Sequence, residues 1–151
     1  MTGSPIRVQI QRLQGSDDVP LPDYQSLQAA GMDLHACVEQ DTTIEPGGIA
    51  LVQCGFAMAV PPGHEAQLRP RSGLAARFGI SMPKAPGTID SDYRGEVCVP
   101  LINLGPKPFV VQRGMRIAQM LIKPVPRVEW DLVDELPQTA RGGGGFGHTG
   151  Q

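Results

Sequence analysis

Cysteine is scarce in this chain. Cys37, Cys54 and Cys98 are odd in number, far apart and without a Cys-x-x-Cys pair, which excludes a disulfide framework and a zinc knuckle. A basic excess is also missing: 13 Lys and Arg stand against 15 Asp and Glu, a formal charge of −2. Without a positive field, a nucleic-acid polymer or an anionic membrane is not the expected partner, although a nucleotide remains open. No apolar run approaches a membrane span. The opening Met1-Thr2-Gly3-Ser4-Pro5 shows no basic-then-apolar signal pattern. The expectation is a cytoplasmic protein kept in a reducing compartment.

Glycine and proline, by contrast, are plentiful: 19 and 15 in 151 residues. Such a load excludes a helical bundle, where an interior Gly costs ~1 kcal/mol and a Pro ~3. Set between apolar runs, they mark turns joining short strands. Ile6, Val8 and Ile10 alternate with Arg7, Gln9 and Gln11, the period of a half-buried strand. Met32, Leu34 and Ala36 alternate with Asp33 and His35, which puts Asp33 opposite the apolar set. Further strands are expected over Ile49 to Cys54, Phe56 to Val60, Glu65 to Leu68, Val97 to Leu104, Phe109 to Val111, Ile117 to Ile122 and, more weakly, Val128 to Val133. Leu74 to Phe78 is the best helix candidate. Strands at this spacing indicate an all-β sandwich, jelly roll or barrel. The length suits one domain, over residues 1–136. Residues 137–151 form a flexible Gly-rich tail with no apolar face, costly to order because glycine loses the most freedom.

Chemistry-bearing residues gather in five stretches. In Gly87-Thr88-Ile89-Asp90-Ser91-Asp92-Tyr93-Arg94-Gly95, a carboxylate and a ring share one short loop. An aspartic protease is excluded because Asp-Ser-Gly is not completed; Asp90 as a general base on water, with Tyr93 as a wall against a sugar, is the sharper reading. Arg71, Ser72 and Gly73 open the candidate helix, where backbone N–H groups, a hydroxyl and a guanidinium suit phosphate oxygens. The alternative is Ser72 as a plain N-cap. Gln119 is an amide inside an apolar strand and needs partners from the protein or from a ligand. Asp33 is a solvated acid or a partner to a metal-bound water. In the tail, Arg141, Phe146 and Thr149 are spaced as a phosphate ligand, a stacking ring and a hydroxyl in a nucleotide lid. No Gly-Lys-Ser/Thr completes a Walker loop. His35, His64 and His148 lack metal-ligand spacing.

Taken in order, Ala30-Gly31-Met32-Asp33-Leu34, Pro70-Arg71-Ser72-Gly73-Leu74-Ala75, Gly87 to Gly95, Gly114-Met115-Arg116-Ile117-Ala118-Gln119 and Arg141 to Gly150 resemble the five motifs of the trimeric dUTP pyrophosphatases. The resemblance runs from about residue 29 to the C-terminus. It implies a homotrimer of jelly-roll-like β-barrels (the dUTPase-like β-clip), with three sites at subunit interfaces and each tail closing a neighbour's site. It further implies hydrolysis of dUTP to dUMP and pyrophosphate with Mg²⁺, supplying dUMP for thymidylate synthesis and keeping uracil out of DNA. Carried over by position, Asp90 deprotonates the attacking water and Tyr93 packs under the deoxyribose. Arg71, Ser72, Gly73 and Gln119 hold phosphates, and Asp33 reaches Mg²⁺ through water. Lys84, Gly87, Thr88 and Ile89 surround the nucleoside. Phe146 stacks on uracil between Gly145 and Gly147, with Arg141 and Thr149 at the terminal phosphate. Lys84 departs from the Asn of some relatives, and Met115 from a common acid. A dCTP deaminase and a nucleotide-sensing β-trimer without catalysis are the competing readings.

Overall fold

Glycine and proline mark most of the divisions between strands, Gly55 and Pro100 being exceptions inside strands. The computed structural model describes residues 3–150; Met1, Thr2 and Gln151, which end the two expected units, lie outside the described residues. Its strands are β1 (Gln9–Arg12), β2 (Met32–His35), β3 (Thr42–Ile44), β4 (Ile49–Ala59), β5 (His64–Arg69), β6 (Ile80–Ser81), β7 (Gly87–Ile89), β8 (Glu96–Asn103), β9 (Phe109–Val111) and β10 (Arg116–Pro124). One helix, α1 (Ser72–Phe78), follows β5. The strands form two four-stranded sheets, ordered β1-β4-β8-β6 and β2-β10-β5-β7, with β3-β9 as a separate pair. Every pairing is antiparallel. The result is a jelly-roll-like all-β fold.

Alternation builds the core. Along β8, Val97, Val99 and Leu101 point inward while Glu96, Cys98 and Pro100 are half-buried on the other face. Ala66 and Leu68 of β5, Leu34 of β2, and Ile117, Ala118 and Met120 of β10 meet them from the second sheet. Burying each large aliphatic side chain stabilises by ~1.5–3 kcal/mol. One polar residue stands among them: Asn103 is fully buried. Its Nδ2 donates to the carbonyls of Ile44 (2.8 Å) and Lys107 (2.7 Å), and its Oδ1 accepts from Gly105 N–H (2.9 Å). That single amide ties β3, β8 and the turn before β9 together.

The structure departs from the sequence pattern at four places. Ile49 to Cys54 and Phe56 to Val60 are one strand, β4, because Gly55 (φ 76°) carries the chain through a register shift instead of ending it. A Cβ at Gly55 would stand 2.6 Å from the Ser16 Cβ and 2.8 Å from the Cys37 sulfur, so only glycine fits where these segments meet. The first strand begins at Gln9 and is exposed along its length, since it pairs with β4 at a sheet edge and nothing covers its outer side. Ser72 is not the N-cap; Arg71 is, and its side chain makes no capping hydrogen bond. Val128 to Val133 forms no strand. Val128, Trp130 and Leu132 are exposed.

At the surface, Arg113 grips Asp18 through two hydrogen bonds (2.9 and 2.7 Å) and fastens the loop after β1. That guanidinium holds the Asp18 carboxyl down at about 2. A depressed acid stabilises above its unfolded value, so this latch weakens as pH falls from roughly 4 toward 2.

Replacing Asn103 by Leu would remove the donor to the buried Ile44 carbonyl and break its bonds to the Lys107 carbonyl and Gly105 N–H nearer the surface. The expected loss is about 2–4 kcal/mol, read from urea unfolding. A loss under about 0.5 kcal/mol would show that the fold does not depend on this amide.

Candidate functional site

The order of the second sheet explains how distant stretches meet. Strand β10 lies between β2 and β5, with Gln119 opposite both Asp33 and Arg69. The chain leaves β5 through Pro70 into Arg71, the extended N-cap of α1 (φ −89°, ψ 129°). Gly31, Asp33, Arg71, Ser72, Gly73, Arg116 and Gln119 therefore line one open groove. Arg116 donates to Asp33 Oδ2 (3.2 Å), and Arg71 Nε lies 3.6 Å from Oδ1. One carboxylate thus stands between two guanidiniums. Gln119 Nε2 donates to the Pro70 carbonyl (3.1 Å), so the protein meets part of the amide's demand. Its Oε1 lies over Gly31, where a Cβ would come within 2.7 Å.

Arg116 is the groove residue that sequence reasoning missed. Strict alternation puts it on the face opposite Gln119. A register irregularity between Arg116 and Ala118 brings it round to Asp33, and only the turn at Gly114 hinted at such a break. Beside the groove, His35 is half-buried, and burial pushes its pKa below the ordinary value. Its Nδ1 has no partner among the described residues.

A second depression lies between the sheets. Strand β7 pairs with β5 on one side only, and β6 reaches β8 only at Ile102 and Asn103. The free edges of β7 and of β8 from Glu96 to Leu101 thus bound a cavity of ≈ 310 Å³, lined by Leu51, Thr88, Ile89, Asp90, Tyr93 and Cys98 among others. A tight turn shapes its rim: Tyr93 N–H donates to the Asp90 carbonyl (3.1 Å), and Arg94 Nη1 to those of Ser91 (2.6 Å) and Tyr93 (3.0 Å). The Tyr93 hydroxyl donates to the Glu96 carbonyl (2.9 Å), laying its ring over Gly95. Asp90 is exposed, and its carboxylate accepts no hydrogen bond among the described residues. Gly87 pairs with Leu68 at the foot of the hairpin, and Lys84 is exposed in the loop before it.

These two places are apart on one chain. Ile89 pairs with Ala66, so Asp90 is level with Glu65, six residues before Arg71. At about 3.3 Å per residue the separation is roughly 20 Å. Arg141, Gly145, Phe146, Gly147 and Thr149 belong to neither place. Among the described residues, the tail from 137 onward makes hydrogen bonds only within itself. The structure thus unites Asp33 with Arg71, Ser72, Gly73 and Gln119, and Asp90 with Thr88, Ile89 and Tyr93. It leaves the tail residues separate.

Comparison with known proteins gives a consistent result. The dUTPase family model matches residues 17–150. A deoxyuridine 5'-triphosphate nucleotidohydrolase of Anaplasma marginale is 52% identical over 145 residues, covering 96% of this chain and 99% of the relative. The enzyme of the same name from Desulfotalea psychrophila is 54% identical over 135 residues, covering 89% and 90%. Among solved structures, a mutant dUTPase of Staphylococcus bacteriophage 80alpha with dUpNHpp shares the fold at a TM-score of 0.85 and 22% identity, covering 96% of this chain and 99% of that one.

The seat of Tyr93 can be checked directly. In Gly95→Ala the new methyl would lie 2.6 Å from Tyr93 Cζ. A crystal structure of this variant should show the ring displaced and its bond to Glu96 broken, with stability lower by about 1–3 kcal/mol. An unmoved ring would contradict the packing described.

Proposed function

The chain belongs to the dUTPase family of dUTP diphosphatases, and from that premise we propose that it cleaves dUTP to dUMP and pyrophosphate in sites shared between copies of itself. The observation that carries this reading is the unpartnered Asp90 carboxylate at the rim of the cleft beside Tyr93. A general base must lie within ~3 Å of the proton it takes, or one water away. Asp90 lies too far from the Arg71 groove of its own chain to act there. A neighbour's groove must come to it, which favours the homotrimer. The exposed Val128, Trp130 and Leu132 add support, since an uncovered extended arm is suited to crossing onto another copy.

In this reading the uracil enters between the free edges of β7 and β8, where backbone groups meet its polar edge. The Lys84 side chain is then not required for selectivity. Tyr93, fixed by its bond to the Glu96 carbonyl, lies under the deoxyribose and leaves no space for a 2′-hydroxyl. Arg71 and Gln119, with the backbone of Ser72 and Gly73, hold the phosphates; Arg116 joins them. Asp90 orients a water behind the α-phosphorus and takes its proton as pyrophosphate leaves. Phe146 stacks on the base, Gly145 and Gly147 allow close approach, and Arg141 and Thr149 reach the terminal phosphate. The substrate carries about four negative charges, which donors in a water-excluded site offset far better than in solution.

Mg²⁺ fits the groove as an ion carried by substrate. Asp33 is the one acid in the groove lining, and among the described residues no three His, Cys, Asp or Glu are grouped to hold a metal. Phosphate oxygens and waters would supply most ligands, as Mg²⁺ prefers, with Asp33 accepting from a bound water. When bound, the ion would neutralise charge on the departing pyrophosphate. We place the enzyme in the cytoplasm, removing dUTP before uracil enters DNA and providing dUMP for thymidylate synthesis.

Replacing Asp90 by Asn should preserve dUTP binding and reduce turnover on the order of 10²–10⁴-fold, followed as pyrophosphate release. Turnover close to that of the unaltered enzyme would refute Asp90 as the base.

A further inference from the structure

Strand β4 is longer than the partner it lies against, and one side chain of β8 makes up the difference. Between the pairs Gln53–Cys98 and Ala57–Glu96, β4 advances four residues while β8 advances two. The additional residues arch out of the ladder around Gly55, whose positive φ lets the chain turn there. Gly55 is buried, so both of its backbone groups need partners. Its carbonyl accepts from Leu13 N–H (3.0 Å). Its N–H, in the stretch where the β4–β8 ladder is interrupted, donates to Glu96 Oε2 (3.0 Å). Glu96 is thereby held twice, its backbone in register with Ala57 and its carboxylate tied to the arch. A carboxylate acceptor makes that tie a charge-assisted one. The carbonyl of the same residue accepts from the Tyr93 hydroxyl (2.9 Å). Tyr93 is 47% exposed, so its ring takes its place from this bond and from contact with Gly95.

We infer that Glu96 is a positioning residue for sugar selection: its side chain, anchored on the Gly55 arch, fixes the carbonyl that seats Tyr93. This rests on Tyr93 lying under the deoxyribose, as proposed above. The carboxylate is turned to Gly55 and acts only through the ring. Refusing a 2′-hydroxyl requires a wall that does not give way, because a ring free to swing makes room for one oxygen. An apolar wall rejects an added hydroxyl by only ~10²-fold, so a small displacement removes a large share of the discrimination. Charge is not the requirement. An amide oxygen also accepts from N–H, so Gln can replace Glu at this position, whereas Ala cannot.

The test measures kcat/KM for dUTP and for UTP in the full-length protein and in Glu96→Ala, Glu96→Gln, Tyr93→Phe and the double variant Tyr93→Phe/Glu96→Ala. Glu96→Ala should narrow the dUTP/UTP ratio roughly 10-fold, chiefly by faster cleavage of UTP. Glu96→Gln should hold the ratio within about 2-fold of the unaltered protein. Tyr93→Phe cuts the same link from its other end without disturbing the arch, and should narrow the ratio about as much as Glu96→Ala. The double variant should go no further than either single one, since both act on one path. A merely structural Glu96 would lower both substrates equally and leave the ratio alone. That result, a ratio narrowed as much in Glu96→Gln as in Glu96→Ala, or additive losses in the double variant would overturn the assignment. Should Glu96→Ala not fold, an unchanged ratio in Tyr93→Phe overturns it as well. Tyr93→Ala separates the two claims. An unchanged ratio there removes Tyr93 as the wall; a narrowed ratio there beside an unchanged one in Glu96→Ala leaves the wall standing and ends the role of Glu96.

Discussion

The structure turns on a distance. A base that activates water must almost touch it, and in the proposed reaction that base is Asp90, which antiparallel pairing of β7 with β5 sets roughly 20 Å from Arg71, just past the other end of β5. No rotamer bridges such a gap. The same strand that separates the two halves on one chain also holds each half rigidly. In the proposed homotrimer symmetry becomes part of the chemistry, because a closed three-membered ring brings one surface of a subunit to a different surface of the next.

Electrostatics prepares the groove for an anion. Asp33 keeps Arg71 and Arg116 in place without substrate, at 3.6 and 3.2 Å. Such partly exposed pairs contribute only ~0–1 kcal/mol each. Hydrogen bonds from charged donors to phosphate are worth ~1.5–3 kcal/mol, so in the proposed function substrate takes over the guanidiniums at small cost. In the proposed function the Asp33 carboxylate, freed from them, would turn to water around an incoming ion. Gln119 is similarly poised, with one donor engaged by Pro70 and its oxygen over Gly31. The nucleoside side has the opposite character. There a phenol bonded to the Glu96 carbonyl and two strand edges form a slot, and in the proposed function its shape does the selecting.

Much of this was legible in the residues. Period-2 alternation located β2, and apolar runs between turn residues located β5, β8 and β10, since each packs against the apolar core. Very short strands such as β3, β6 and β7 escaped, because two or three residues carry no period. Gly55 resembled a strand end, and its real service is to let β4 pass the Ser16 and Cys37 side chains. Alternation also hid Arg116, whose place depends on a bulge. Val128 to Val133 has the pattern of a strand and remains unpaired, consistent with an arm whose partner belongs to another copy. What the sequence could not convey was spacing: Asp90 and Arg71 are near in order and distant in space.

The shared site is tested most directly by mixing two crippled chains. One is full-length Asp90→Asn; the other retains Asp90 and ends at Leu136. Co-expressed and assembled at random as trimers, roughly a quarter of sites would take an intact acid from one copy and an intact tail from another. Pyrophosphate release from dUTP should then rise well above that of either variant alone. Activity no higher than the two parents would contradict a site assembled across chains.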